Sequence, residues 1–179
     1  MKTQVCIIGA GPAGLLLGHL LRAEGIECVV LEQRTGDYVL TRIRAGVLET
    51  ITVGLMERLG LDARMKAEGL WHDGFNLADG ERLIRIDMAD LVGSRVMVYG
   101  QTELTKDLMD AREERGLEVV YEAEDVVLHD VEGDVPYVTF TKDGAGQRID
   151  CRIIAGCDGF HGPSRKAIPA SVGKEYLRE

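Results

Sequence analysis

An α/β fold is predicted by three features near the start of the chain. Val5 to Ile8 is a short apolar run rich in β-branched residues, which is typical of a buried parallel strand. The glycines of GAGPAG follow, and Pro12 suits the first turn of a helix that continues from Ala13 to Leu21. Cys28 to Leu31 is a second apolar strand that ends at Glu32. Strand, helix and strand in this order predict a parallel sheet with flanking helices.

The spacing of three glycines before an acidic residue indicates a dinucleotide site. Gly9, Gly11 and Gly14 suit a tight turn, a close approach of backbone to a pyrophosphate, and close helix–strand packing. Free N–H groups at the helix N-terminus favour the phosphates. Glu32, eighteen residues after Gly14, is placed to accept hydrogen bonds from a ribose. These residues alone predict FAD or NAD(P) as the ligand.

Composition excludes several classes of partner. The chain has 179 residues, of which 45% are hydrophobic and 28% charged, and this suits one core with a small excursion. A formal net charge of −9 argues against a nucleic-acid or anionic-membrane surface. No run approaches the ~18 apolar residues of a membrane span, and we expect a cytoplasmic protein. The widely spaced cysteines predict no metal site; Cys6 and Cys28 are expected as buried thiols.

The remaining segments extend this fold class. Trp71 to Val98 alternates apolar and polar residues around a turn at Asp79-Gly80, which predicts an antiparallel β excursion. Asp143-Gly144 predicts a hairpin turn. We further expect a charged loop over 34–44, helices over 47–59, 62–68 and 102–115, and strands over 118–130, 137–141 and 152–155.

Several segments are informative in combination. They are GAGPAG, Glu32, RIRAGVLE from Arg42 to Glu49, YGQTEL from Tyr99 to Leu104, and AGCDGFHGPSR from Ala155 to Arg165. Together they resemble the flavin-dependent aromatic hydroxylases, in particular the hydroxylases of 4-hydroxybenzoate. The resemblance extends from Lys2 to about Pro169. It implies a Rossmann-like FAD-binding domain.

The resemblance also implies which residues hold the cofactors. FAD would be bound by Gly9, Gly11, Pro12, Ala13, Gly14, Glu32, Arg42, Ile43, Arg44, Ala45, Gly46, Val47, Gln101, Asp158 and Gly159. The co-substrate NADPH or NADH would be bound by Arg34, Tyr38, Arg42, Arg44 and His161. Arg34 could hold a 2′-phosphate, which favours NADPH.

Three of these residues have structural alternatives. Arg44 could neutralise a phosphate as a bidentate donor, or be a solvated charge that caps a loop. Asp158 follows a strand end, where open α/β sheets bind ligands, but it could also order its own loop by accepting backbone N–H bonds. His161 could equally be a surface residue.

The activity implied by the resemblance is hydroxylation of 4-hydroxybenzoate to 3,4-dihydroxybenzoate with NAD(P)H and O2, through a flavin C4a-hydroperoxide. The implied partners are a phenolic substrate and O2, with no nucleic acid or membrane, and a homodimer in the longer family form. No residue in this chain is a convincing general base, so we assign no catalytic residue.

Family members are longer, so we expect residues 1–179 to be a single FAD-binding domain of a longer architecture, with an excursion over 71–98 and without the substrate domain. We expect this chain by itself to be incomplete for catalysis and to bind FAD poorly. The alternative is a stand-alone dinucleotide-binding module or half of a split flavoprotein. An ordinary NAD(P)-dependent dehydrogenase is disfavoured because no catalytic Tyr-Lys or His-Asp arrangement follows the glycine motif.

Overall fold

The computed structural model describes residues 1–42 and 45–173. The strands are β1 Val5–Ile8, β2 Cys28–Leu31, β3 Val47–Glu49, β4 Leu70–His72, β5 Gly74–Asp79, β6 Arg82–Asp87, β7 Val96–Val98, β8 Val119–Val120, β9 Glu124–His129, β10 Tyr137–Lys142, β11 Ala145–Asp150 and β12 Ile153–Gly156. The helices are α1 Pro12–Ala23, α2 Gly36–Thr41, α3 Thr50–Leu59, α4 Ala63–Glu68, α5 Met88–Val92, α6 Gln101–Glu114 and α7 Pro163–Lys166. Among the described residues, no helix is long and apolar enough to cross a membrane.

The chain divides into two compact units. The first combines residues 1–39 with the described residues from 112 onward, and the second covers 40–111, so the division falls within α6. In the described part of the first unit, a four-stranded parallel sheet has the order β12-β1-β2-β8. Ile8 at the end of β1 is in register with Leu31 of β2 and with Gly156 of β12. This arrangement confirms the predicted parallel sheet and aligns the three strand ends.

The core of the first unit lies between the parallel sheet and an antiparallel sheet of order β11-β10-β9. Its buried members are Cys6, Ile8, Val29, Leu31, Ala123, Val138, Phe140, Ile149 and Cys151. All four cysteines are free thiols in the described structure. Cys6 is fully buried as predicted, whereas Cys28 is half-buried. Burial raises the pKa of the Cys6 thiol to about 12.

The second unit contains the antiparallel excursion. As far as the structure describes it, β3-β7-β4 form one antiparallel sheet and β5-β6 form a hairpin. The hairpin turns at Gly80, whose φ of +57° lies in the left-handed region. The excursion predicted between Trp71 and Val98 is therefore confirmed.

The segment predicted as a loop over 34–44 is partly helical. Helix α2 begins after Thr35, whose Oγ1 accepts the N–H of Tyr38 at 3.2 Å. The loop prediction was wrong for these residues. None of the α2 side chains is buried, so the helix has no apolar periodicity by which the sequence could reveal it. Similarly, the helix expected from Val47 begins only at Thr50, since Val47 pairs with Val98 in a sheet.

The strand predicted over 118–130 is two strands in different sheets. β8 pairs with β2, whereas β9 pairs with β10. The chain turns between them at Glu122, which has a positive φ of 56°, and Asp125 near the start of β9 also has a positive φ of 49°. Apolar alternation continues through this turn, so the sequence pattern did not reveal it. The predicted hairpin turn at Asp143-Gly144 is confirmed, with both φ values positive, at 52° and 72°.

Candidate dinucleotide site

Two glycines of the GAGPAG loop are required by contacts within the protein. Gly9 has a φ of +105°, and a Cβ there would lie 2.6 Å from the carbonyl oxygen of Cys157. A Cβ on Gly14 would lie 1.9 Å from the carbonyl oxygen of Gly9. Both distances are too short for any side chain, so helix α1 packs against the loop only with glycine at these positions. The contact with Cys157 also brings the segment after β12 next to the loop.

Gly11 is different, because nothing in the described protein requires a glycine there. Its φ of −69° and ψ of 176° are open to any residue, and a Cβ would meet no atom within 4 Å. Gly11 is the N-cap of α1, and no side chain caps this helix end. The open space therefore lies at a helix N-terminus, where a phosphate group is favoured by free N–H groups and by the helix dipole. This geometry fits a dinucleotide pyrophosphate.

Glu32 is tied to the glycine loop by its side chain. Oε2 accepts the N–H of Ala10 at 2.9 Å, and Oε1 accepts the N–H of Arg34 at 2.9 Å. Its backbone is also held on both sides, since its N–H donates to Val120 at 2.9 Å and its carbonyl accepts from Ala123 at 2.9 Å. Each carboxylate oxygen has a second lone pair. The carboxylate is thus fixed next to the loop and still able to accept hydroxyl groups.

Asp158 orders the loop that follows β12. Its Oδ2 accepts the N–H of Ser164 at 2.8 Å in the first turn of α7. A Cβ on Gly162 would lie 2.0 Å from the Asp158 carboxyl carbon, so the carboxylate fills the turn. This hydrogen bond is the structural role considered above as the alternative. A role of Asp158 and Gly159 toward a ligand stays a prediction.

The residues predicted to bind NAD(P)H in the first unit are exposed. The Arg34 guanidinium lies 5.3 Å from the centroid of the Tyr38 ring, within cation–π range. His161 packs edge-on against Phe160 with ring centroids 5.1 Å apart. Arg165 covers the same Phe160 ring at 4.1 Å. The pair Arg34–Tyr38 and the cluster around Phe160 therefore each present cationic and aromatic side chains at the surface of the first unit.

The other predicted residues belong to the second unit or lie outside the described residues. Arg42, Ala45 and Val47 are exposed, and Gln101 begins α6. The Gly46 carbonyl accepts the N–H of Tyr99 at 2.8 Å. A Cβ on Gly46 would lie 2.7 Å from Gly100 Cα, so these two backbone segments touch. Ile43 and Arg44 lie outside the described residues.

The structure brings together the glycine loop, Glu32 and the segment at Asp158, all in the first unit. Sequence reasoning missed Tyr121 and Arg112 near Glu32. Burial raises the pKa of the Tyr121 phenol, the Arg112 charge lowers it, and the Glu32 charge raises it. No sequence signal distinguished Arg112 from the solvated arginines on other helices.

Comparison with known proteins agrees with this geometry. The chain matches the family described as FAD binding domain over residues 2–177. It is 52% identical over 177 residues to the p-hydroxybenzoate hydroxylase of Acinetobacter baylyi, covering 98% of this chain and 44% of that protein. It is 30% identical to the probable NADH-specific resorcinol 4-hydroxylase of Rhodococcus jostii, covering 91% of this chain and 32% of that protein.

The chain is also similar to a solved hydroxylase structure. The anhydrotetracycline hydroxylase OxyS of Streptomyces rimosus is 27% identical with a TM-score of 0.75, over 93% of this chain and 33% of that one. The chain thus spans less than half the length of these relatives. The resemblance to flavin-dependent aromatic hydroxylases is confirmed. Because the match extends over 2–177 and the glycine loop has room for a pyrophosphate, the chain belongs to the FAD binding domain family.

Proposed function

We propose that this chain is the FAD-binding part of an NAD(P)H-dependent monooxygenase that converts 4-hydroxybenzoate to 3,4-dihydroxybenzoate. The open space at Gly11, beside the Glu32 carboxylate and the α1 N-terminus, carries the cofactor assignment. The 52% identity to the Acinetobacter baylyi p-hydroxybenzoate hydroxylase supports the substrate. Hydride acceptance from NAD(P)H and activation of O2 are chemistry that the flavin ring supplies when FAD is bound.

The glycine loop would hold the pyrophosphate. After Pro12, the first turn of α1 presents the N–H groups of Ala13 and Gly14, which have no carbonyl partner within the helix. Gly11 leaves space for the phosphate oxygens to approach these donors, and Gly9 sets the turn. The positive end of the helix dipole adds to the attraction.

Glu32 would accept the hydroxyls of the adenosine ribose. Its two backbone hydrogen bonds orient the carboxylate before the ligand binds, which lowers the ordering cost of binding. Asp158 and Gly159 would lie along the pyrophosphate, a role supported by the contact between Gly9 and the Cys157–Asp158 backbone. In the second unit, Arg42 to Val47 and Gln101 would contact the remainder of the cofactor.

Arg34 and Tyr38 would recognise the co-substrate together with Arg42, Arg44 and His161. The Arg34 guanidinium is exposed on the Tyr38 ring and can donate two parallel hydrogen bonds to a phosphate. A 2′-phosphate is present in NADPH and absent from NADH, so this side chain favours NADPH. A cytoplasmic location and a homodimer of the longer form remain predictions from the sequence.

A chimera tests the proposal most directly. The 177 aligned residues of the Acinetobacter baylyi hydroxylase are exchanged for those of this chain. We expect the chimera to bind FAD, to oxidise NADPH faster when 4-hydroxybenzoate is added, and to form 3,4-dihydroxybenzoate, detected by chromatography. The matched control carries Gly11→Val and should do none of these. FAD binding without substrate-dependent turnover would favour the stand-alone module instead.

The co-substrate assignment has its own control. In the chimera, Arg34→Ala should raise the KM for NADPH about tenfold, an effect of about 1.4 kcal/mol, and leave the KM for NADH unchanged. Arg85→Ala removes an exposed arginine from β6 and should change neither value. Equal losses for both nucleotides in Arg34→Ala would remove the 2′-phosphate assignment.

A further inference from the structure

Arg112 is a buried cation that the cofactor site described above does not use. Its side chain is 2% exposed, and its Nη2 donates to the Glu118 carbonyl at 2.8 Å. Among the described residues, Nε and Nη1 have no oxygen or nitrogen acceptor, and the polar group beside them is the Cys28 thiol. Burying a guanidinium with so few partners is costly, and burial lowers its pKa. The surroundings must therefore hold this side chain in place.

Residues of α1 and β2 lie directly beside the Arg112 guanidinium. A Cβ on Gly18 of α1 would lie 2.5 Å from Nη1 of Arg112, so any side chain at this position would displace the guanidinium. Burial raises the pKa of the Cys28 thiol at the start of β2, and the Arg112 guanidinium beside it acts in the opposite direction. Arg112 thus fills the space between α1, β2 and the segment that begins at Glu118.

That segment leads directly to Glu32. Glu118 precedes β8, which pairs with β2 through Val119 and Val120. Val120 then accepts the N–H of Glu32, and Ala123 donates to the Glu32 carbonyl, both at 2.9 Å. The hydrogen bond from Arg112 and the two backbone hydrogen bonds to Glu32 therefore lie at opposite ends of one short stretch, residues 118–123.

We infer that Arg112 is a positioning residue for Glu32, which holds the carboxylate in the orientation that binds the adenosine half of the dinucleotide. The inference rests on the proposed FAD site and adds a residue that need not touch the ligand. Tyr121 lies in the same stretch, and its phenol is under the influence of both the Arg112 and the Glu32 charges. The Arg112 hydrogen bond to Glu118 carries the effect through the backbone.

A double-mutant cycle in the chimera described above tests this role. FAD dissociation constants are measured by quenching of flavin fluorescence for the unsubstituted chimera, Arg112→Met, Glu32→Gln and the double variant. We expect Arg112→Met to bind FAD about tenfold more weakly, and the double variant to bind no more weakly than the weaker single variant. If Arg112 instead affected FAD binding independently of Glu32, the two losses of FAD affinity would multiply in the double variant. Arg112→Lys keeps a donor for the Glu118 carbonyl and should recover part of the affinity.

Gly18→Ala gives a second, milder perturbation. Helix propensity alone favours alanine, yet its Cβ would displace the Arg112 guanidinium. We expect FAD affinity to fall several-fold. The matched control is Gly54→Ala in α3, where a Cβ meets nothing within 4 Å and FAD affinity should not change. Circular dichroism and thermal unfolding establish that both variants are folded.

The outcomes separate the inference from the proposed function. Absence of FAD binding by the chimera with no further substitution overturns both. FAD binding by that chimera together with unchanged affinity in Arg112→Met, or with losses that multiply in the double variant, overturns the inference alone. If Arg112→Met does not fold, equal FAD affinities of Gly18→Ala and Gly54→Ala overturn it.

Discussion

The carboxylate of Glu32 accepts the backbone N–H of Ala10 at 2.9 Å and so joins the end of β2 to the glycine loop. The two residues are 22 positions apart in the sequence. The hydrogen bond uses one lone pair of Oε2 and fixes the carboxylate in place. The acid is therefore structural and available for a ligand at the same time, and variants of the site must be interpreted with both roles in mind.

Gly11→Val should abolish FAD binding without unfolding the protein. The backbone at Gly11 is open to any residue, so the valine adds no conformational strain; its side chain fills the space for the pyrophosphate. Flavin fluorescence quenching measures binding, and thermal unfolding measures the fold. Gly146→Val is the control, since Gly146 lies in β11 with open space around its Cβ. Unchanged FAD affinity in Gly11→Val would contradict the assignment of the pyrophosphate to the space at Gly11.

Glu32→Ala should weaken FAD binding by ~1–3 kcal/mol, about fivefold to more than a hundredfold in the dissociation constant. The change removes the proposed ribose acceptor and also frees the N–H groups of Ala10 and Arg34. Glu32→Gln keeps one acceptor oxygen and should lose less. Titration with FAD compares the variants. The ribose assignment is lost if the alanine variant binds FAD as tightly as wild type.

Asp107→Ala should lower the free energy of unfolding by about 2–3 kcal/mol, because it removes acceptors from two groups of the second unit. Asp107 accepts from the buried Tyr99 hydroxyl at 2.6 Å and from Arg64 Nε at 2.7 Å. Asp110, three residues later on α6, pairs only with the exposed Lys106 in the contacts described. Asp110→Ala should therefore cost much less than Asp107→Ala in urea unfolding. Equal costs for both variants would contradict this account.

The free energy of unfolding should fall as the pH rises from about 9 to 12. The folded-state pKa of the Cys6 thiol is about 12, whereas the ordinary value is 9.0. Over this range the unfolded chain loses a proton that the folded chain keeps, so alkali favours unfolding. The contribution of Cys6 to stability is complete below pH 9 and is lost toward pH 12.

Cys6→Ala isolates this effect. The variant removes the titrating thiol, so its stability should depend less steeply on pH above 9 than that of wild type, as measured by urea unfolding at several pH values. Cys157→Ala removes a thiol that is only half-buried and should retain most of the wild-type slope. An identical slope in Cys6→Ala and wild type would contradict the prediction.

Local sequence was sufficient for the first strand, helix and strand of the fold. The run Val5 to Ile8, the glycines and Glu32 each follow from chemistry within a few residues. The same was true of the Asp143-Gly144 turn, where both residues need positive φ. In these places the local preference and the final structure agree, so pattern and spacing were enough.

Other features depended on contacts between distant parts of the chain. β8 and β9 separated because their partners lie in different sheets, and Val47 became a strand because Val98 pairs with it. The bond between Asp158 and Ser164 is local, but the contact of Cys157 with Gly9 joins residues far apart in sequence.

The α/β class, the glycine loop and the acid at the end of β2 could all be predicted from the order of residues along the chain. Three further features became visible only in the folded chain: the open space at Gly11, the hydrogen bond from Ala10 to Glu32, and the burial of Arg112 against Gly18. A motif specifies backbone geometry over a few residues, whereas free space and burial depend on which distant segments pack beside it.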